Sequence, residues 1–396
     1  GVSTDPEPAG LVGFYLWGSV PEPFTLYQEI RAVPPGHYVK VGALGPEFPQ
    51  PFLTLESIYQ AAEPAAPDAA SIRTALLASV ERHLVADVPV GLFLSAGIDS
   101  SALLAAVHAL DPERAAAMTA VTLGFEEYRD GPNDEAPLAR QIAGQYGATH
   151  SVRMVGEQEF QADLPKILEA MDQPSIDGIN TWFVSKAAHE AGLKVVLSGV
   201  GGDELFAGYP SFRDIPRWRK HMWLPSRVPG LGKAWQAAMT SLGPKLGANP
   251  KLSGLLRYGG TWAGAYILRR GLFLPHELKT LLDPELLDRG LERLNAAGTM
   301  RSFVHNAPKN PTARVSLLES ALYMRNQLLR DADWASMAHS LELRTPLVDT
   351  ELLRASAPMQ PGLTGKAILA DAMDLEAVVR DRPKTGFTTP VARWID

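Results

Sequence analysis

Leu94-Ser95-Ala96-Gly97-Ile98-Asp99-Ser100-Ser101 follows the apolar run Val88-Pro89-Val90-Gly91-Leu92-Phe93. A second stretch, Leu197-Ser198-Gly199-Val200-Gly201-Gly202-Asp203-Glu204-Leu205-Phe206, follows Lys194-Val195-Val196. Each is a short hydrophobic strand that runs into Gly and Ser and then into a helical pattern. That geometry presents bare backbone N–H groups and a helix N-terminus to a polyphosphate. Each loop also carries one aspartate, Asp99 and Asp203, placed to share a magnesium ion that bridges phosphates. Taken together the loops read as a site for ATP and Mg²⁺. Gly97 lets the backbone approach a phosphate, and Ser95, Ser100 and Ser101 add hydroxyl donors. One such loop alone is also an ordinary strand–turn–helix with Asp99 or Ser100 as its cap; two of them in one α/β unit make that plain reading inadequate.

Working outward from the loops, strands and helices alternate. Strands are expected at 88–94, 118–123, 150–154 and 194–197, and helices at 100–110, 135–146, 158–171 and 180–191. This alternation predicts an α/β fold with a parallel sheet covered by helices, whose ligands bind at the carboxyl ends of the strands. Upstream, Ile72, Leu76, Val80 and Leu84 recur every fourth residue and mark an amphipathic helix from Ser71. The Pro- and Ala-rich stretch 63–70 reads as a linker. The opening segment reads as β structure, with Leu11 to Trp17 an apolar run and His37 to Val41 a short strand after Pro34-Pro35-Gly36. Beyond about residue 212 the strand signal fades, and a helical C-terminal portion is expected.

The chain has 396 residues, 46% hydrophobic, and a net charge of −7. It is long enough for two domains, and nothing in the charge balance suggests a general nucleic-acid binder. The densest basic cluster, Arg213, Arg217, Arg219 and Lys220 around Trp218, reads as a solvated face. There is no cysteine, which removes disulfides, thiolate metal sites and cysteine nucleophiles from these residues. This is compatible with a cytoplasmic location, which is the expectation. No apolar run approaches the roughly 20 residues of a membrane helix, so no membrane partner is expected.

The first loop resembles the Ser-Gly-Gly-x-Asp-Ser loop of the PP-loop ATP pyrophosphatases, with Ala96 in place of one Gly. Adding the second loop narrows the resemblance to the synthetase domain of the asparagine synthetase B family. Three further stretches agree: Gly124-Phe125-Glu126-Glu127 with Asp134-Glu135 and Ala139 following; Ser336 through Asp349; and Arg382-Pro383-Lys384-Thr385-Gly386-Phe387. The resemblance implies activation of a carboxylate by ATP as an acyl-adenylate, with release of pyrophosphate and attack by an amine. It implies nucleotide contacts at Leu94, Leu123, Ser198 and Gly199, magnesium on Asp99 and Asp203, and a catalytic cation at Lys384. Glu342 and Arg344 are expected to form a supporting ion pair, and His339 to be packed rather than a base.

Tyr27 through Ile30 to Pro34-Pro35-Gly36-His37, preceded by Pro21-Glu22-Pro23-Phe24-Thr25, resembles the end of the same family's N-terminal-nucleophile glutaminase domain. The resemblance implies residues 1–62 as the tail of that domain, 63–70 as linker and 71–396 as the synthetase domain. The family's glutaminase uses an N-terminal cysteine. Either that residue lies upstream of Gly1, or this homologue does not use glutamine. The implied partners are a small carboxylate, aspartate by default, and ammonia or glutamine, with a homodimer left open. Val200 departs from the family: asparagine synthetases usually place an acidic residue there and β-lactam synthetases a tyrosine. Amidation of another carboxylate such as a uronic acid, intramolecular amide formation of the β-lactam or lasso-peptide type, and a non-catalytic ATP-binding scaffold stay open.

Overall fold

The computed structural model describes residues 2–243, 245, 247, 249–306, 309–363, 365–382 and 389–395. Two compact units emerge, one of residues 64–172, 177–208 and 328–396, the other of residues 1–63, 173–176 and 209–327.

The first unit is built on a five-stranded parallel sheet of β1 (Val90–Phe93), β2 (Thr119–Phe125), β3 (Thr149–Val155), β4 (Val195–Leu197) and β5 (Glu342–Arg344). Its spatial order is β3-β2-β1-β4-β5, with Leu92 opposite both Ala120 and Leu197, and Leu197 opposite Arg344. The inner strands β1, β2 and β4 are short, apolar and buried, as the centre of a sheet covered on both faces requires, whereas the edge strands β3 and β5 are mostly half-buried and carry charged residues. Between them run helices Ile98–Leu110, Ala136–Gln145, Glu157–Ala170 and Ile179–Glu190, each within two residues of the span its sequence predicts. The chain winds outward from β1 to β3 and then returns to the other side of β1. The reversal of strand order therefore falls between β1 and β4, the place where ligands bind in open α/β sheets. β5 was not expected; only three residues long, it carries charged residues at both ends.

The second unit is mainly helical, with two short antiparallel hairpins, His37–Tyr38 paired with Gln50–Pro51 and Val41–Gly42 paired with Gly45–Pro46. The strand expected over 37–41 is thus split between two hairpins. The expectation of β structure at Leu11–Trp17 is corrected: Pro8–Trp17 is an α-helix. Pro8 sits in its first turn, the Glu7 carboxylate accepts the Ala9 N–H, and Gly18 closes it at φ 81° with its N–H bonded to the Phe14 carbonyl. The segment is apolar all round, and such a run has no periodicity to separate a buried helix from a buried strand. The linker is also shorter than expected, because Asp68 caps a helix spanning Ala69–His83.

Gly290 fixes how closely helix Pro284–Leu294 can approach helix Pro8–Trp17. A Cβ there would lie 2.3 Å from Val12 Cγ2 and 2.6 Å from the Pro8 carbonyl oxygen. Alanine would gain up to about 1 kcal/mol of helix propensity, but the backbone oxygen cannot move aside, and overpacking costs about 1–3 kcal/mol. Gly290→Ala is expected to lower the thermal unfolding midpoint; an unchanged or raised midpoint would contradict this packing.

Candidate functional site

The first loop is held by its own hydroxyls. Leu94 continues the ladder by donating its N–H to the Val121 carbonyl at 2.9 Å. The Ser95 N–H donates to Ser100 Oγ at 3.1 Å, the Gly97 N–H to Ser95 Oγ at 3.2 Å, and Ser101 Oγ to the Gly97 carbonyl at 2.8 Å. Ser100 and Ser101 are buried, and their hydroxyls bond within the turn. Gly97 is the N-cap of helix Ile98–Leu110 and supplies no side-chain cap, leaving first-turn N–H groups for an anion. Leu123 lies buried on β2, beyond the residues that pair with β1.

The second loop is pressed against the first. The Ser198 N–H donates to the Arg344 carbonyl at 2.8 Å, which ties the loop to β5. A Cβ on Gly199 would stand 2.8 Å from Asp99 Cβ, and one on Gly202 would stand 2.3 Å from Asp99 Oδ1. Gly201 has φ 102°, a conformation that side chains resist. The glycines therefore do two jobs, turning the chain sharply and making room for the Asp99 carboxylate over the second loop.

Asp203, in the short helix Gly202–Leu205, meets Asp99 at a common cation. Lys366 Nζ lies 2.8 Å from Asp203 Oδ1 and also forms an ion pair with Asp99 Oδ2. Burial alone would lower the Lys366 pKa, but the two carboxylates outweigh it and raise it well above the ordinary lysine range. Lys366 is therefore a fixed positive charge, only 12% exposed. Sequence reading missed it. Its one signal was a lysine after Gly365 at the start of helix Ala367–Ala372, which is too common a pattern to single out. Asp99 and Asp203 suit magnesium in the way Mg²⁺ binds with phosphates, through one or two carboxylates and substrate oxygens. Among the described residues no group of three or more His, Cys, Asp or Glu could hold a metal.

Residues 71–396 match the asparagine synthase family model. The chain belongs to that family. It is 31% identical over 412 residues to a provisionally named glutamine-hydrolysing asparagine synthetase of Mycobacterium tuberculosis, covering 100% of this chain and 60% of that protein. It is 28% identical to glutamine-hydrolysing asparagine synthetase 1 of Bacillus subtilis, covering 95% of this chain and 58% of that protein. Amidase chyE of Penicillium rubens is 28% identical over 239 residues, 56% of this chain and 35% of that protein. The chain thus spans about three-fifths of the length of the asparagine synthetases it matches.

Within this asparagine synthase domain the remaining sequence expectations fall as follows. Lys384 lies outside the described residues. Arg382, two positions before it, stands 3.6 Å from Glu135 at the start of helix Ala136–Gln145. Arg344 bonds Glu342 at 2.7 Å and donates to the carbonyls of His83 and Val85, both at 2.7 Å, so the pair anchors β5 beneath the second loop. His339 packs edge-on to Trp182 with centroids 4.4 Å apart. Burial, aided by Lys186, lowers its pKa below the ordinary histidine value. Val200 is half-buried in the second loop.

Proposed function

We propose that this chain carries the carboxylate-activating part of an ATP- and magnesium-dependent amide-forming ligase, with aspartate as the default acceptor. The observation that supports this most is the convergence of Asp99 and Asp203 on one cationic centre at the switch point of the sheet. In this reading the first-turn N–H groups of helix Ile98–Leu110 and the second glycine loop cradle the triphosphate. Asp99 and Asp203 hold magnesium, which when bound would offset the charge of the pyrophosphate leaving group. Lys366 would move from the carboxylates to phosphate oxygens when the nucleotide enters. Lys384 is assigned the role of stabilising charge on the phosphates and the tetrahedral intermediate.

The acceptor carboxylate oxygen attacks the α-phosphorus, the bond to pyrophosphate breaks, and an amine then attacks the acyl carbon to expel AMP. Ammonia is the amine this part of the chain can use, since its residues include no thiol for glutamine hydrolysis. Val200 favours a second reading, in which the acceptor is another carboxylate. An apolar side chain supplies no charge to hold the aspartate amine and no phenol to deprotonate an internal one.

The test is pyrophosphate release with ATP, Mg²⁺ and ammonium, run separately with aspartate, a uronic acid and a peptide carboxylate. Stimulation by aspartate alone would establish the default acceptor, and stimulation by either of the others the second reading. ATP binding with no carboxylate-dependent release would replace both with a scaffold role.

A further inference from the structure

The helical unit carries a basic stretch with exposed apolar side chains. Residues 213–233 hold six cations, Arg213, Arg217, Arg219, Lys220, Arg227 and Lys233, against the single carboxylate of Asp214, in a chain of net charge −7. Asp214 is already engaged, 3.0 Å from Arg213 and 3.6 Å from Arg269. The other five cations form no ion pair among the described residues.

Large apolar side chains stand among these charges. Trp223 is 43% exposed, Leu224 65%, Val228 49% and Leu231 39%. Trp223, Leu224 and Val228 lie in the short connection between helices Ser211–Met222 and Leu231–Leu242, and Leu231 opens the second helix. The connection is closed by N–H bonds from Val228 to the Pro225 carbonyl and from Leu231 to the Val228 carbonyl, both 3.2 Å. The Arg227 guanidinium lies 3.9 Å over the Trp223 ring. Helix Leu231–Leu242 contains no fully buried residue, so this face is not merely the edge of a packed core.

Two physical needs coincide here. Unpaired guanidinium and ammonium groups are best met by a dense array of anions, and exposed Trp, Leu and Val by a medium less polar than water. A nucleic acid would answer the first need and leave Leu224 and Val228 in water. A bilayer with anionic headgroups answers both: phosphates meet the cations, the indole sits at headgroup depth, and the aliphatic groups reach the acyl boundary. We propose that residues 213–233 adsorb this protein to the surface of an anionic lipid bilayer. No helix of the described residues is long and apolar enough to cross a membrane, but adsorption requires only a few side chains at the interface.

Co-sedimentation of the full chain with phosphatidylcholine vesicles, with and without about one-third phosphatidylglycerol, tests this. Binding is expected only with the anionic lipid, to be released by about 0.5 M salt, and to fall about tenfold or more in the double variant R217E/K220E. L224E is expected to weaken binding at low salt, and the blue shift of tryptophan emission on binding should disappear in W223F. Pyrophosphate release is expected to be unchanged in all three variants, showing that they fold. Equal binding to neutral vesicles, no binding at all, or no response to R217E/K220E would overturn the proposal. So would a change of oligomeric state in L224E without loss of vesicle binding, which would identify the face as a contact between copies.

Discussion

Asp99→Asn and Asp203→Asn are each expected to lower carboxylate-dependent pyrophosphate release by about 10²–10³-fold, the cost typical of removing one preorganised charge from a reaction centre. The two carboxylates lie in the first turns of helices that follow different strands yet share Lys366 Nζ, so neither has a substitute. Asparagine keeps the shape and removes the charge, and the glycines that make room for Asp99 are untouched. The unfolding midpoint should therefore move little. The double variant should lose little more than either single one, because both groups would act on one cation. Independent, multiplicative losses would show instead that the two aspartates serve separate tasks. Lys366→Met provides a complementary measurement. Removing the resident cation leaves the carboxylates facing one another, and the apo protein should then bind Mg²⁺ more tightly even as turnover falls.

The largest expected effect on stability lies elsewhere in the same unit. Asp163, on helix Glu157–Ala170, is buried and accepts from Lys186 Nζ at 2.6 Å, Lys166 Nζ at 3.0 Å and Trp182 Nε1 at 3.2 Å. Lys186 also bonds Glu159 at 2.7 Å, and Arg153 bonds Glu159 at 2.8 Å. Burial by itself would raise the Asp163 carboxyl, but the hydrogen bonds from Lys186, Lys166 and Trp182 outweigh it and hold it at about 2, below the ordinary 3.8.

Because the folded value is the lower one, the stabilisation is complete above about pH 4 and is lost as pH falls toward 2. Asp163→Ala leaves Lys186 with Glu159 as its remaining partner and the buried Trp182 N–H without an acceptor, and is expected to cost about 3 kcal/mol at neutral pH. Asp163→Asn keeps an acceptor for the indole and should cost less. Hydrogen exchange in helices Glu157–Ala170 and Ile179–Glu190, together with the unfolding midpoint, reports the loss. A variant as stable as the parent, or one whose acid sensitivity is unchanged, would show that the network contributes nothing net. Lys166 is mostly exposed and should matter little.

Most of the sheet was legible because its strands are short apolar runs bounded by Gly, Ser and Pro, and because both loops that end them combine turn residues with an acidic one. The burial of Ser101 and the inward use of Ser100 were not legible. A serine in a glycine loop can face outward or into the turn itself, and the hydrogen bonds among Ser95, Gly97 and Ser101 arise only once the loop has folded. Strand β5 escaped notice because three residues show no period. Its place beside β4 depends on the Arg344 side chain gripping the carbonyls of His83 and Val85.

By itself the sequence determined the class of fold, the two phosphate-shaped turns and the exclusion of thiol chemistry from these residues. Those are local properties, written in apolar spacing, turn residues and composition. What only the tertiary structure decided was that Asp99, Asp203 and Lys366 share one point, with Lys366 267 positions from Asp99 in the chain. It also decided that residues 8–17 form a helix and that a basic, aromatic turn stands exposed. The physical reason is the same in each case. Convergence and exposure follow from how distant segments pack, and a single segment carries no record of the neighbours that will cover it or leave it bare.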